Sequence, residues 1–180
     1  MNFKINHFYT QLFKKSWVVV LLLVLLSSIQ AFSTSIFNGS FAGYFIFLLS
    51  VLKVSAIVWL SFTQLTKIIG QSHLITHILT LFIFLIAIIV CSFSLDYLSL
   101  YVSDGNSFKT SLVNNDVSMV GMLYEYFYFS TITFSSVGYG DIVPQSILAK
   151  AIVMIQVAVR FFVLVFGIAN INQIKVNNNT

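Results

Sequence analysis

Long apolar runs separated by short polar breaks set the pattern of this chain. Four runs, at residues 16–36, 41–62, 74–93 and 146–169, have about the 20 mostly apolar residues that a helix needs to cross the hydrocarbon core of a bilayer. A polar stretch at 96–118 follows the third run, and a shorter aromatic segment at 120–134 follows that. The aromatic segment is too short to span, and its place predicts a helix that re-enters the membrane from one side. After the fourth run the chain turns polar in "NINQIKVNNNT". The pattern predicts an all-α integral membrane protein with four transmembrane helices plus a re-entrant helix and loop. It divides the chain into 1–72 (an N-terminal segment with two spans), 73–170 (the two later spans and the re-entrant unit) and 171–180 (a short polar tail).

Composition agrees. The 180 residues are 58% hydrophobic and 8% charged, with mean hydropathy +0.96, whereas soluble domains carry about 25% charged residues. A sizeable soluble domain is excluded. One cysteine, Cys91, permits no disulfide framework within a chain. The net charge of +4 comes from scattered basic residues, which argues against a nucleic-acid partner. No catalytic triad, metal cluster or phosphate loop is present, so the sequence points away from an enzyme.

The charges orient the spans. Lys4, Lys14 and Lys15 precede the first, Lys67 follows the second and Lys175 follows the fourth, while Asp96, Asp104, Asp116, Glu125 and Asp141 all lie between the third and fourth. Because Lys and Arg near span ends stay inside, both termini are expected in the cytoplasm and the acidic region outside. The basic start and small-residue exit of the first run also fit a signal peptide; either way the later spans keep their orientation.

Within the acidic region lies "SSVGYGD", Ser135 to Asp141. Irregular backbone at membrane depth is tolerated only where protein buries it or it lines a watery path. Glycine adopts positive φ readily, so alternating it with ordinary residues lets successive carbonyls point the same way. Ser136 offers a hydroxyl and a carbonyl; Val137, Gly138, Tyr139 and Gly140 offer carbonyls. Such a row replaces the hydration shell of a passing cation. A preceding helix aiming its C-terminal end inward favours a cation further, and Asp141 adds negative charge at the outer mouth. One chain cannot surround an ion with one loop, but copies about a common axis can.

The stretch "YFSTITFSSVGYGDIVP" resembles the pore loop of potassium channels, T-x-T-T-V-G-Y-G-D followed shortly by Pro. The match is close over residues 125–144 and looser over 74–169. The competing reading is a glycine-rich turn in an outside loop. The resemblance implies a homotetrameric potassium channel of the plasma membrane, set in lipid. K⁺ is its permeant ion, held by the filter only, and no cofactor is implied. Ser136 to Gly140 become the selectivity filter, and Glu125, Tyr128, Phe129, Thr133 and Ser135 belong to its supporting pore helix.

This chain departs from the family at three places. Ser136 stands for the usual Thr, keeping the hydroxyl. Tyr128 and Phe129 stand where many relatives have a Trp pair; Tyr128 retains a donor for Asp141, while Phe129 has none, so the brace around the filter must be built differently. Arg160 stands where relatives often carry a glycine hinge in the inner helix. It lies about 21 Å into the fourth run at 1.5 Å per residue, and Gln156 four residues earlier shares its face. Either Arg160 rings the cavity and limits conduction, or it turns away and anchors the bundle. Gly167 offers a bend or a close packing point.

The first two spans lack the repeated Arg or Lys of a voltage sensor. Lys53, alone in the second, can snorkel, pair or act in gating. His73 and His77 share a helix face and read as interfacial polar residues rather than a metal site. Two alternatives stand beside a channel: a weakly conducting or silent regulatory pore subunit, and a non-transporting scaffold or sensor that keeps the pore fold. A nucleotide- or calcium-sensing domain does not fit the tail, so any such control falls to a separate regulatory subunit.

Overall fold

The computed structural model describes residues 17, 20–33, 40–69, 75–110 and 118–177. Its helices are α1 (Val20–Ser33), α2 (Ser40–Ile69), α3 (Ile75–Ser103), α4 (Met119–Ser135) and α5 (Ile147–Asn177). The protein is all-α apart from a short antiparallel ribbon of β1 (Phe108–Thr110) and β2 (Ile142–Pro144), in which Phe108 opposes Pro144 and Thr110 opposes Ile142. Among the described residues three helices are long and apolar enough to cross a membrane, over Phe41–Trp59, Phe82–Ser103 and Ile147–Val165. The flanks of α1 lie outside the described residues, so the span expected at 16–36 is described only in part.

Helix α3 is the hub and packs against α2, α4 and α5. Its buried stripe is Leu85, Ile89, Phe93, Tyr97 and Leu100, the three-and-four spacing that keeps residues on one side of a helix. Ala149, Ile152, Gln156, Val159 and Val163 form the matching stripe on α5. On α2 the stripe is Ala42, Ile46, Leu49 and Ile57, and Gly43 lets α2 approach α5 so closely that a Cβ there would sit 2.7 Å from Leu148 Cδ1.

One expectation is corrected. Asp96 does not open a polar loop: α3 continues through it to Ser103. Its side chain is 1% exposed and pairs with the fully buried Lys53, so the charge that marked a boundary in the sequence is neutralised inside the helix bundle. Lys53 accordingly pairs and does not snorkel. The polar segment after residue 170 is helical as far as Asn177, since "NINQIKVN" contains neither proline nor glycine to stop the helix.

Candidate functional site

Helix α4 presents the glycine loop. Its 17 residues measure about 25 Å at 1.5 Å per residue, less than a roughly 30 Å hydrocarbon core. Ser118 caps its N-terminus, the hydroxyl accepting from Gly121 N–H at 3.2 Å. At the other end Ser136 adopts left-handed backbone, φ 59° and ψ 30°. Its N–H bonds Thr133 O at 3.1 Å, and Val137 N–H bonds Ile132 O at 2.9 Å. This paired closure is the usual helix stop, in which glycine normally takes the left-handed place.

Positive φ then recurs at every second residue: Gly138 has φ 57° and Gly140 φ 79°. No other described residue has positive φ. Alternation of this kind cancels helical turning and lets successive carbonyls share one side of an extended ribbon. Ser136 through Asp141 are all exposed on the single chain, and a Cβ added to Gly138 or Gly140 would meet nothing within 4 Å. Val137 and Tyr139 are 50% and 71% exposed. The ribbon therefore stands free of its own chain.

Its ends are fixed. Beyond Gly140, the Asp141 carboxylate accepts from Ile142 N–H at 3.0 Å. A hydrogen bond to Asp141 pushes the Tyr128 phenol up to about 12, with smaller contributions from burial and the neighbouring acids. The β1–β2 ribbon then ties the segment after the loop to the segment after α3. Ser107 O extends this tie by accepting from Gln145 N–H at 2.9 Å, and Ser146 Oγ caps α5 through Ala149 N–H at 3.1 Å.

Between α3, β1 and α4 is a wall of rings. Phe129, 5% exposed, packs on Tyr97 and Phe108 at 5.0 and 5.7 Å between centroids, and Tyr126 packs on Phe108 at 5.3 Å. Hydrogen bonds run through this wall. The Tyr97 hydroxyl donates to Gln156 Oε1, and Gln156 Nε2 donates to Ser130 O at 3.0 Å and Ser130 Oγ at 2.9 Å. Ser130 Oγ in turn donates to Val90 O at 2.9 Å. Three helices thus converge on one buried serine in the middle of α4.

A family model described as "Ion channel" matches residues 79–176, more than half of the chain. The chain belongs to this ion channel family. No curated protein and no solved structure matches it. Membership points to a transport role rather than an enzymatic one, and the matched segment contains α4, the loop, α5 and most of α3.

Within this ion channel chain the residues singled out from sequence fall into three groups. Ser136 to Asp141 and Tyr128 come together at the loop. Glu125 and Thr133 are partly buried on α4, and Ser135 is exposed, its hydroxyl donating to Thr131 O at 2.9 Å. Phe129 packs on Tyr97 of α3 and Phe108 of β1. Gln156 is fully buried, held between Tyr97 of α3 and Ser130 of α4. Arg160 is partly buried with its guanidinium 5.2 Å from the Phe161 ring centre, and no carboxylate among the described residues pairs with it. Gly167 lies in the continuous helix α5. The described residues contain no cluster of three metal-ligating side chains, and the side chains of His73 and His77 lie outside the described ones.

Sequence reasoning missed Tyr97, Ser130 and Phe108. Tyr97 lies seven residues beyond Val90, two turns along the same face of α3, and that register was its signal. The three residues of β1 are too few to carry a strand period.

Proposed function

We propose that this chain is the subunit of a homotetrameric, potassium-selective channel that conducts passively through the loop Ser136–Gly140. The observation that carries the reading is the alternation of positive φ at Ser136, Gly138 and Gly140, placed directly at the C-terminal end of a helix too short to span. Carbonyls aligned by that alternation replace water around a dehydrating cation. The partial negative end of α4 favours the positive charge, and Asp141 concentrates cations at the mouth. Four copies about one axis close the ring and cover the ribbon that a single chain leaves exposed. K⁺ is cargo here, bound by main-chain oxygens and the Ser136 hydroxyl. The unit 73–170 forms the pore, residues 1–72 supply the two preceding helices and 171–180 the tail, with both termini in the cytoplasm of a plasma-membrane protein.

Arg160 supports a second reading, a silent or weakly conducting subunit. It has no carboxylate partner among the described residues and lies about 20 Å from the start of α5. Flux of K⁺ against Na⁺ into liposomes holding the purified chain separates the two. The first reading expects K⁺-selective flux from the unmodified protein. Flux appearing only in Arg160→Gly supports the silent subunit, and no flux from either protein sinks both.

A further inference from the structure

Buried charge deep in α2 and α3 does not belong to the loop, yet it lies one residue from the hydrogen-bond chain that reaches Ser130 of α4. Lys53, 0% exposed, donates to Gln30 Oε1 at 2.7 Å and to the Asp96 carboxylate. Gln30 is equally buried, and its Nε2 has no hydrogen-bond partner among the described residues. An intramembrane ion pair is expensive to bury and is ordinarily found where it serves a function. Asp96 is adjacent in sequence to Tyr97, the residue that holds Gln156 and through it Ser130. Neighbours on a helix point about 100° apart, so α3 faces α1 and α2 with Asp96 and faces α4 and α5 with Tyr97.

This places two buried polar anchors, one residue apart, on different sides of one helix. Rolling α3 about its axis breaks both together, because neither has a water-filled space in which to find another partner. We propose that Lys53 and Asp96 are positioning residues for the pore. The pair fixes the rotation of α3, which sets the Tyr97 hydroxyl on Gln156 and thereby seats Ser130 and the end of α4 from which Ser136 begins. The first two helices then act as the clamp that holds the filter's geometry. This inference rests on the proposed channel function.

The test uses the full chain in liposomes, comparing Lys53→Met, the uncharged pair Lys53→Met/Asp96→Asn, Tyr97→Phe and Lys53→Met/Tyr97→Phe. The uncharged pair leaves no lone buried charge, so it serves if Lys53→Met fails to assemble. In assembled channels the K⁺-to-Na⁺ permeability ratio is expected to drop about fivefold or more in each, the size of a typical coupling between sites. The last double variant should fall no further than its worse single, because both changes cut one path. A charge swap, Lys53→Asp/Asp96→Lys, should regain part of the ratio. A merely structural pair would lower the yield and leave the ratio of the surviving channels unchanged; that result, or additive losses, overturns the proposal. Hydrogen exchange at the Ser136 and Val137 amides is read in the same samples. If the unmodified chain carries no K⁺, the channel reading fails by itself; faster exchange in Lys53→Met/Asp96→Asn still supports the clamp, and unchanged exchange sinks it.

Discussion

Ser136 carries two demands that pull in different directions. Its backbone sits in the left-handed region, which costs an ordinary L-residue about 1 kcal/mol relative to glycine, while its hydroxyl is the side-chain oxygen the proposed filter offers. With Na⁺ in place of K⁺, Ser136→Gly should therefore leave the thermal stability of the assembled protein equal or slightly higher, and it should lower the selectivity for K⁺; a glycine variant as selective as the parent would remove the hydroxyl from the mechanism. A second residue test concerns Tyr128. The phenol's ordinary value of 10 is raised by its bond to Asp141, so its contribution is complete below pH 10 and is lost as pH rises through about 12. At neutral pH the bond is intact, and Tyr128→Phe removes it outright. Current through Tyr128→Phe channels is expected to decay faster during sustained conduction than in the parent, and decay at the parental rate would show that Asp141 holds its place through Ile142 N–H alone.

At the scale of elements, Ser130 marks a junction of α3, α4 and α5. Gln156→Leu leaves the Tyr97 hydroxyl buried without its acceptor, which costs about 1–3 kcal/mol. Adding Tyr97→Phe removes the orphan, so the double variant should recover most of the thermal stability lost by the single; a double variant as unstable as Gln156→Leu would mean that Gln156 acts through Ser130. Run length made most of these elements readable beforehand. The short helix expected at 120–134 is α4 at Met119–Ser135, an apolar run that Ser118 caps at its start. Asp96 was misread for a definite reason. One charge in an apolar run looks like its end when residues are averaged, whereas Asp96 keeps the buried register of Leu85, Ile89, Ser92 and Leu100. Lys53 likewise keeps that of Ile46, Leu49 and Ile57, and Gln30 falls seven residues after buried Leu23. Register identifies each as an inward-facing position but not as one another's partner. The partners are far apart in sequence, and only the packing of α1, α2 and α3 brings them together.

On the scale of the whole molecule, one chain leaves its glycine loop and one side of α5 uncovered. The loop is exposed throughout, and Met154, Phe161 and Val165 on α5 are 71%, 55% and 67% exposed. Lipid suits apolar side chains but cannot satisfy the free backbone groups of an irregular ribbon, each of which costs several kcal/mol in hydrocarbon. The ribbon therefore needs protein or water beside it, and cyclic assembly supplies both. If that assembly is the proposed tetramer, the permeant ion is also a ligand that binds only the assembled state, and mass action makes it a stabiliser. At about 100 times its dissociation constant such an ion adds about 2.7 kcal/mol. Purified protein in mild detergent should then run as four 20.3 kDa chains and dissociate at a lower temperature when Na⁺ replaces K⁺. The difference should shrink in Ser136→Gly, which takes one oxygen from each copy. Dissociation temperatures that do not distinguish the two ions would separate assembly from ion binding and leave the carbonyl row without its proposed ligand.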